Sequence, residues 1–269
     1  MGGIRVGLVV VAAASTLVTW QRKNPDGVPV LLLSGGQREH HGYREQAVGL
    51  SRMLEESGRY RVTIVEDAAI LETPALERYR AVILLADRRD PEFRFSEGQQ
   101  RALLSYVERR RDGGLVSLHA GNNAASDWDP RFREMLGGVF SHDTRGGRPD
   151  GKVRKGRYRV EIRQTDHPIT AGLNDFDLED ELYYQMQMEP GVEPLATIRH
   201  EGVDWPVAWT RRFGLGRVFH TPLGHRDFGP DRPDPLEHPG LARLVLQGLD
   251  WVVAPRDAVS SQEPDRRSE

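Results

Sequence analysis

The chain has 269 residues, a formal net charge of −3, 38% apolar and 29% charged residues, and no cysteine. That length suits one large domain or two small ones, with ample chain to bury a core. The missing cysteines exclude disulfides, thiolate nucleophiles, Cys-ligated zinc and a lipoprotein anchor acylated on cysteine, and the absence of a continuous basic stripe with interleaved aromatics argues against nucleic acid as a partner.

Met1 to Trp20 carries a single charge, Arg5, ahead of the apolar run Val6–Ala14. This reads as a signal-peptide-like segment, short of the ~20 apolar residues of a membrane span. The other reading is a buried strand, since the run is β-prone. The first reading makes the protein exported or membrane-associated. Gln21–Gly27 is a polar linker containing the turn signal Asn24-Pro25-Asp26-Gly27. The expected division is therefore a leader and linker over 1–27, one folded domain over 28–254 and a polar, disordered tail over 255–269.

Val28–Leu33 is a continuous apolar run, as expected of a strand covered on both faces, and Ser34-Gly35-Gly36 ends it. The length and polar remainder of Tyr43–Glu56 favour a helix. Tyr60–Val65 alternates as a strand does, and Ala81–Ala86 is a third buried run. Ser96 with Gln99 spells a capping box, followed by Leu103, Leu104 and Val107 at helical spacing. Gly113-Gly114 closes that helix, and Leu115–Leu118 forms the next strand. Strands and helices alternating at these spacings predict a parallel sheet with right-handed crossovers.

After Gly121 the pattern loosens. Asp143–Gly156, rich in Gly, Arg and Lys, reads as an exposed loop, and the acidic run Asp177–Glu181 as a solvated loop or helix start. Further strands are expected at Tyr158–Arg163, Leu195–His200, Pro206–Thr210 and Gly216–Thr221, and a last helix at Gly240–Val252.

Ligands of open parallel sheets bind beyond the carboxyl ends of the strands. The polar residues falling there are Gln37-Arg38-Glu39-His40-His41, Asp87-Arg88-Arg89-Asp90, His119-Ala120-Gly121-Asn122-Asn123 and, late in the chain, His225-Arg226-Asp227. His220, inside a strand pattern, reads as packed, as do His200 and His238, and His167 before Pro168 as turn-forming. Leu118-His119-Ala120-Gly121 has the layout of a nucleophile elbow, with imidazole in place of Ser or Cys. Imidazole near neutral pH transfers protons or binds metal. Glu181, just before Leu182-Tyr183-Tyr184, is the carboxylate expected to turn inward and orient imidazoles or bind metal.

Several dispersed segments, in order, resemble the ThuA-like (trehalose-utilization) family. They include Gly113–His119, Leu136–His142, His167–Leu173, Glu179–Tyr183, Pro206–Trp209 and Gly214–His225, spanning roughly Val28 to Ala254. The resemblance implies an α/β, flavodoxin-like three-layer sandwich with a mainly parallel central sheet, related to class I glutamine amidotransferases. It also implies a role in trehalose and related disaccharide catabolism through 3-keto sugars made by a partner sugar oxidoreductase. His119 stands where the amidotransferase cysteine would sit, so thioester chemistry on glutamine is impossible here. The expected activity is proton transfer on a keto-sugar or disaccharide derivative, with His119, Glu181 and His225 catalytic and His40, His41, Asn122, His142 and Tyr183 binding the sugar. A divalent metal such as zinc is an expected cofactor alternative to metal-free chemistry. The rival reading is a non-catalytic sugar- or partner-binding domain, with Trp128, Trp205 and Trp209 stacking on sugar faces.

Overall fold

The computed structural model describes residues 26–36, 41–88, 91–125, 128–229 and 231–255. The proposed leader and most of the polar tail, together with His40, lie outside these residues.

The first half alternates strand and helix: β1 (Val28–Gly35), α1 (Tyr43–Glu56), β2 (Tyr60–Val65), β3 (Ala81–Ala86), α2 (Glu97–Arg109) and β4 (Gly114–Leu118). The second half contains α3 (Pro130–Leu136), β5 (Gly138–Val139), β6 (Lys152–Ile162), β7 (Phe176–Tyr184), β8 (Gln187–Met188), β9 (Pro194–His200), β10 (Val203–Phe213), β11 (Gly216–Thr221) and α4 (Pro239–Val253). Nine strands form one sheet in the order β2-β1-β3-β4-β11-β10-β9-β6-β7, while β5 and β8 pair apart from it.

The five strands from β2 to β11 run parallel. The last four pair antiparallel. Continuous apolar runs make β1 and β3 because both faces are covered, whereas β2 at the edge alternates. Val30, Leu32, Ile83, Val116 and Leu118 pack with α1 and α4 on one side. Leu31, Leu33, Val82, Leu84 and Leu115 pack with α2 and α3 on the other. This is the expected α/β sandwich. The capping box of Ser96 and Gln99 opens α2 as its sequence spells. Among the described residues no helix is long and apolar enough to cross a membrane.

Two segments differ from the sequence reading. β6 begins at Lys152, inside the expected loop. The acidic run is a strand, the outermost of the sheet: along β7, Leu178, Asp180 and Leu182 are buried while Asp177 and Glu179 are exposed. Successive side chains of a strand point to opposite faces, so Asp180 and Glu181 must part company.

Candidate functional site

The carboxyl ends of β1, β3, β4 and β11 lie side by side, and the polar centre is built there. Leu118 leads straight into His119, which has φ 45°, in the left-handed region that a non-glycine residue rarely adopts. Residues His119–Ala125 then wind as a 3-10 turn. The turn is tight because of Gly121, where a Cβ would stand 2.6 Å from Ser117 Oγ and 2.7 Å from the Leu84 carbonyl oxygen. The result is the predicted elbow, with the strain on the imidazole-bearing residue itself.

His119 Nε2 is the hub. It lies 3.2 Å from His41 Nε2, 3.0 Å from His225 Nδ1 and 3.2 Å from the Tyr183 hydroxyl. Glu181 Oε2 stands 3.8 Å from His119 Nε2 and 3.3 Å from His225 Nδ1. The far nitrogens are also engaged. His119 Nδ1 donates to the Pro222 carbonyl at 2.9 Å, and His225 Nε2 lies 2.9 Å from Asp227 Oδ1. Burial and the two neighbouring imidazoles hold His119 well below the ordinary histidine range. Asp227, bonded by Lys155 and then His225, is held down at about 2.

Asp180 works on the opposite face of β7. Its carboxylate accepts from the backbone N–H of Gly224 at 2.7 Å, of His225 at 2.8 Å and of Glu181 at 2.7 Å. One buried side chain thus fastens the loop that carries His225 to the strand that carries Glu181 and Tyr183. Burial raises this carboxyl to about 7, with the three N–H donors pulling the other way.

Beside the centre, a cleft is lined by His41, Tyr43, Arg44, Glu66, Arg88 and Phe228 among others. The buried Arg88 guanidinium donates to the carbonyls of Ser34 and Glu66 at 3.1 Å and so ties the ends of neighbouring strands under the cleft. Desolvation lowers Arg88 to about 10.

Of the residues singled out in the sequence, His41, His119, Glu181, Tyr183 and His225 come together. Asn122 is fully buried behind them, its amide directed to Met186 Sδ at 3.5 Å. Its neighbour Asn123, placed at the strand end by the sequence but given no role there, donates to Asp87 Oδ2 and to the Tyr183 hydroxyl, each at 3.4 Å. His142 stands apart: it is exposed, pairs with Asp150 at 2.7 Å, and meets the centre through Phe140, which packs on Tyr183. The glycine-rich loop that follows it faces solvent, so the ring is not drawn inward.

Three further histidines do structural work. His167 Nδ1 accepts from the Ile169 N–H at 3.2 Å, and His238 Nδ1 caps α4 through the Gly240 N–H at 3.2 Å. His220 is fully buried against Trp209, and desolvation lowers it to about 3. Trp209 lies in the core with its N–H on the Leu136 carbonyl, and Trp128 packs between Phe95 and Phe132. Those two indoles are used in packing, and Trp205, the third, is partly buried beside Tyr184 and donates its N–H to the His200 carbonyl at 3.2 Å.

Comparisons agree with the architecture. A ThuA-like protein from Parabacteroides merdae superposes with a TM-score of 0.69 at 26% identity, covering 85% of this chain and 90% of that one. A ThuA-like protein from Bacteroides uniformis gives a TM-score of 0.62 at 19% identity, covering 92% and 96%. A β-galactosidase from Rahnella sp. R3 shares the fold at a TM-score of 0.54 and 13% identity, over 91% of this chain and 32% of that one. No curated protein matches the chain significantly. The family model for trehalose utilisation matches residues 29–252, and the chain therefore belongs to the ThuA family.

Proposed function

We propose that this ThuA-family protein is an enzyme that moves a proton next to the carbonyl of a keto-sugar or keto-disaccharide. The family supports a carbohydrate-related role. The observation that carries the reaction class is the meeting of a carboxylate, a phenol and imidazoles at one buried point: Glu181 and Tyr183 from β7 against His119 and His225 from the sheet centre.

A ketone acidifies the neighbouring C–H, so the reaction needs a base at carbon and a donor or positive charge at oxygen. Glu181 is the base. It takes the proton from carbon, and the C–H electron pair forms the enolate, leaving negative charge on the carbonyl oxygen. The Tyr183 O–H donates to that oxygen, while Asn123 bonded to the Tyr183 hydroxyl holds the phenol in place. Where the deprotonated carbon bears a hydroxyl, that hydroxyl passes its proton to the former carbonyl oxygen while Glu181 returns the carbon-derived proton to the former carbonyl carbon, which gives isomerisation. Loss of a β-oxygen substituent, with the proton passed to it, gives elimination. His119 and His225 complete the centre against which the oxygen sits. The ketone must be installed beforehand, so a sugar oxidoreductase is the expected partner in the pathway.

The test is an assay on oxidised and unoxidised trehalose or a similar disaccharide in deuterated water. Turnover of the keto form alone, with deuterium entering the carbon next to the carbonyl, is the expected result. Glu181→Gln should lower it by about 10²–10⁴-fold. Equal turnover of both sugars, or none with either, would discard the reading.

We also propose export, on the strength of the apolar run after Arg5. Mass spectrometry of the native mature protein should then find the chain shortened by a segment ending near Trp20, whereas an intact chain in the cytoplasmic fraction would refute it.

A further inference from the structure

We infer that His41, His119 and His225 form a binding site for one divalent cation of the zinc class, with a fourth coordination position left open for the substrate oxygen. The inference deepens the reading above and rests on it for the identity of the substrate, but not for the cation itself.

The acceptors behind two of the rings fix where the ring protons sit. A carbonyl oxygen only accepts, so the contact of His119 Nδ1 with the Pro222 carbonyl puts the ring proton on Nδ1 and a lone pair on Nε2. A carboxylate likewise only accepts, so Asp227 fixes the proton of His225 on Nε2 and leaves a lone pair on Nδ1. Those two lone pairs face each other at 3.0 Å. His41 Nε2 adds a third ring nitrogen at 3.2 Å, and the Glu181 carboxylate stands 3.3 Å from His225 Nδ1. Tyr183 has one proton to offer and lies on the His119 side. The lone pair of His225 is thus left pointing at an imidazole nitrogen and a carboxylate, neither of which supplies a hydrogen. Electron-rich atoms held this way call for a positive charge between them.

The spacing suits a metal ion. Donors around a tetrahedral zinc at ~2.0–2.1 Å lie about 3.3–3.4 Å from one another. One ring nitrogen from each of the three histidines lies within 4.8 Å of the other two, with two pairs at 3.0 and 3.2 Å. All three histidines are buried. Imidazole is the ligand such an ion prefers, and the Pro222 carbonyl and Asp227 carboxylate behind two of the rings are the kind of outer partners that orient and strengthen metal-bound histidines. Three protein ligands and one open position is the arrangement of catalytic rather than structural zinc. With a cation there, the lone pairs become its ligands and the acid–base work falls to Glu181 and Tyr183.

The experiment uses the full chain, dialysed against chelator and titrated calorimetrically with zinc, with cobalt as a spectroscopic probe. One equivalent should bind, with the absorption of four- or five-coordinate cobalt. His225→Ala should weaken zinc binding by more than about 100-fold, and Asp227→Asn, a change at a partly exposed carboxylate, by about 10–100-fold. Glu181→Gln should still bind zinc while losing turnover, and His167→Ala should match the wild type. Folded wild-type protein that takes up no more zinc than His225→Ala would overturn the inference, and would mean that an imidazolium at His225 bridges Glu181 and Asp227 instead. Turnover that survives complete removal of metal would also overturn it, while leaving the keto-sugar reaction standing. Zinc bound at one equivalent without turnover of any oxidised sugar would uphold the site and reject the reaction.

Discussion

Replacing His119 by asparagine should abolish turnover and leave the fold almost untouched. The backbone at this position has φ 45°, where most side chains cost about 1–2 kcal/mol and asparagine is among the few that are tolerated. A His119→Ala variant would confound two effects, because alanine removes the ring and also resists the left-handed backbone. Asparagine keeps the elbow, and its short amide cannot reproduce Nε2, which meets His41, His225 and Tyr183 at 3.0–3.2 Å. A loss of at least ~10²–10⁴-fold in kcat is expected, with the thermal midpoint within a few degrees of wild type. The comparison needs steady-state assays on the oxidised sugar alongside a melting curve. Turnover within tenfold of wild type would mean that the hub of the cluster is not where the chemistry occurs.

The second large effect is expected at Asp180, which touches no substrate. Asp180→Ala removes the acceptor of three backbone N–H groups, those of Glu181, Gly224 and His225. A buried donor left without a partner costs about 1–3 kcal/mol. Water entering the vacated space will satisfy part of this, so a loss of about 3–5 kcal/mol is expected, or a fall of roughly 10 °C in Tm for a domain of this size. Catalysis should suffer separately, through the loop that presents His225. Asp180→Asn retains one acceptor oxygen and should lose less on both counts. Chemical denaturation gives the stability, and kcat measured well below the new Tm gives the positioning effect. An alanine variant as stable and as active as wild type would show that the three bonds are incidental.

The half of the fold that carries His41 and His119 was legible because its inner strands are apolar runs, interrupted only by Ser117. Val28–Leu33, Ala81–Ala86 and Leu115–Leu118 admit little other than strands covered on both faces, and Gly35-Gly36 and Gly121 after the first and last of them mark where polar residues can gather. β7 was hidden for the opposite reason. Its inward row is Leu178, Asp180 and Leu182, and a carboxylate among apolar positions erases the alternation by which a half-buried strand is recognised. Glu181 was found for its place beside two tyrosines, but Asp180 was not. Its signal was the apolar neighbour two residues away on either side, visible only once the segment is read as a strand. His142 shows the reverse failure: a histidine after a strand-like stretch and before glycines looks like a site residue, yet its partner is the exposed Asp150. Sequence spacing brought the other imidazoles to one edge without showing that their nitrogens would meet.

The place of β11 in the sheet bears on how the protein is made. It is the last strand to be synthesised, yet it lies in the middle, joining β4 to β10. Between the end of β4 at Leu118 and the start of β11 at Gly216 the ribosome adds roughly 100 residues, which at ~5–20 residues per second takes about 5–20 s. Throughout that interval the nascent β4, with every residue apolar or buried in the finished protein, presents an open edge of the kind that recruits other chains. The emerging polypeptide is therefore a natural client for chaperones that bind extended apolar segments. A transcript broken just before β11 would encode His41, His119, Glu181 and Tyr183, yet yield two halves of a sheet with nothing to join them.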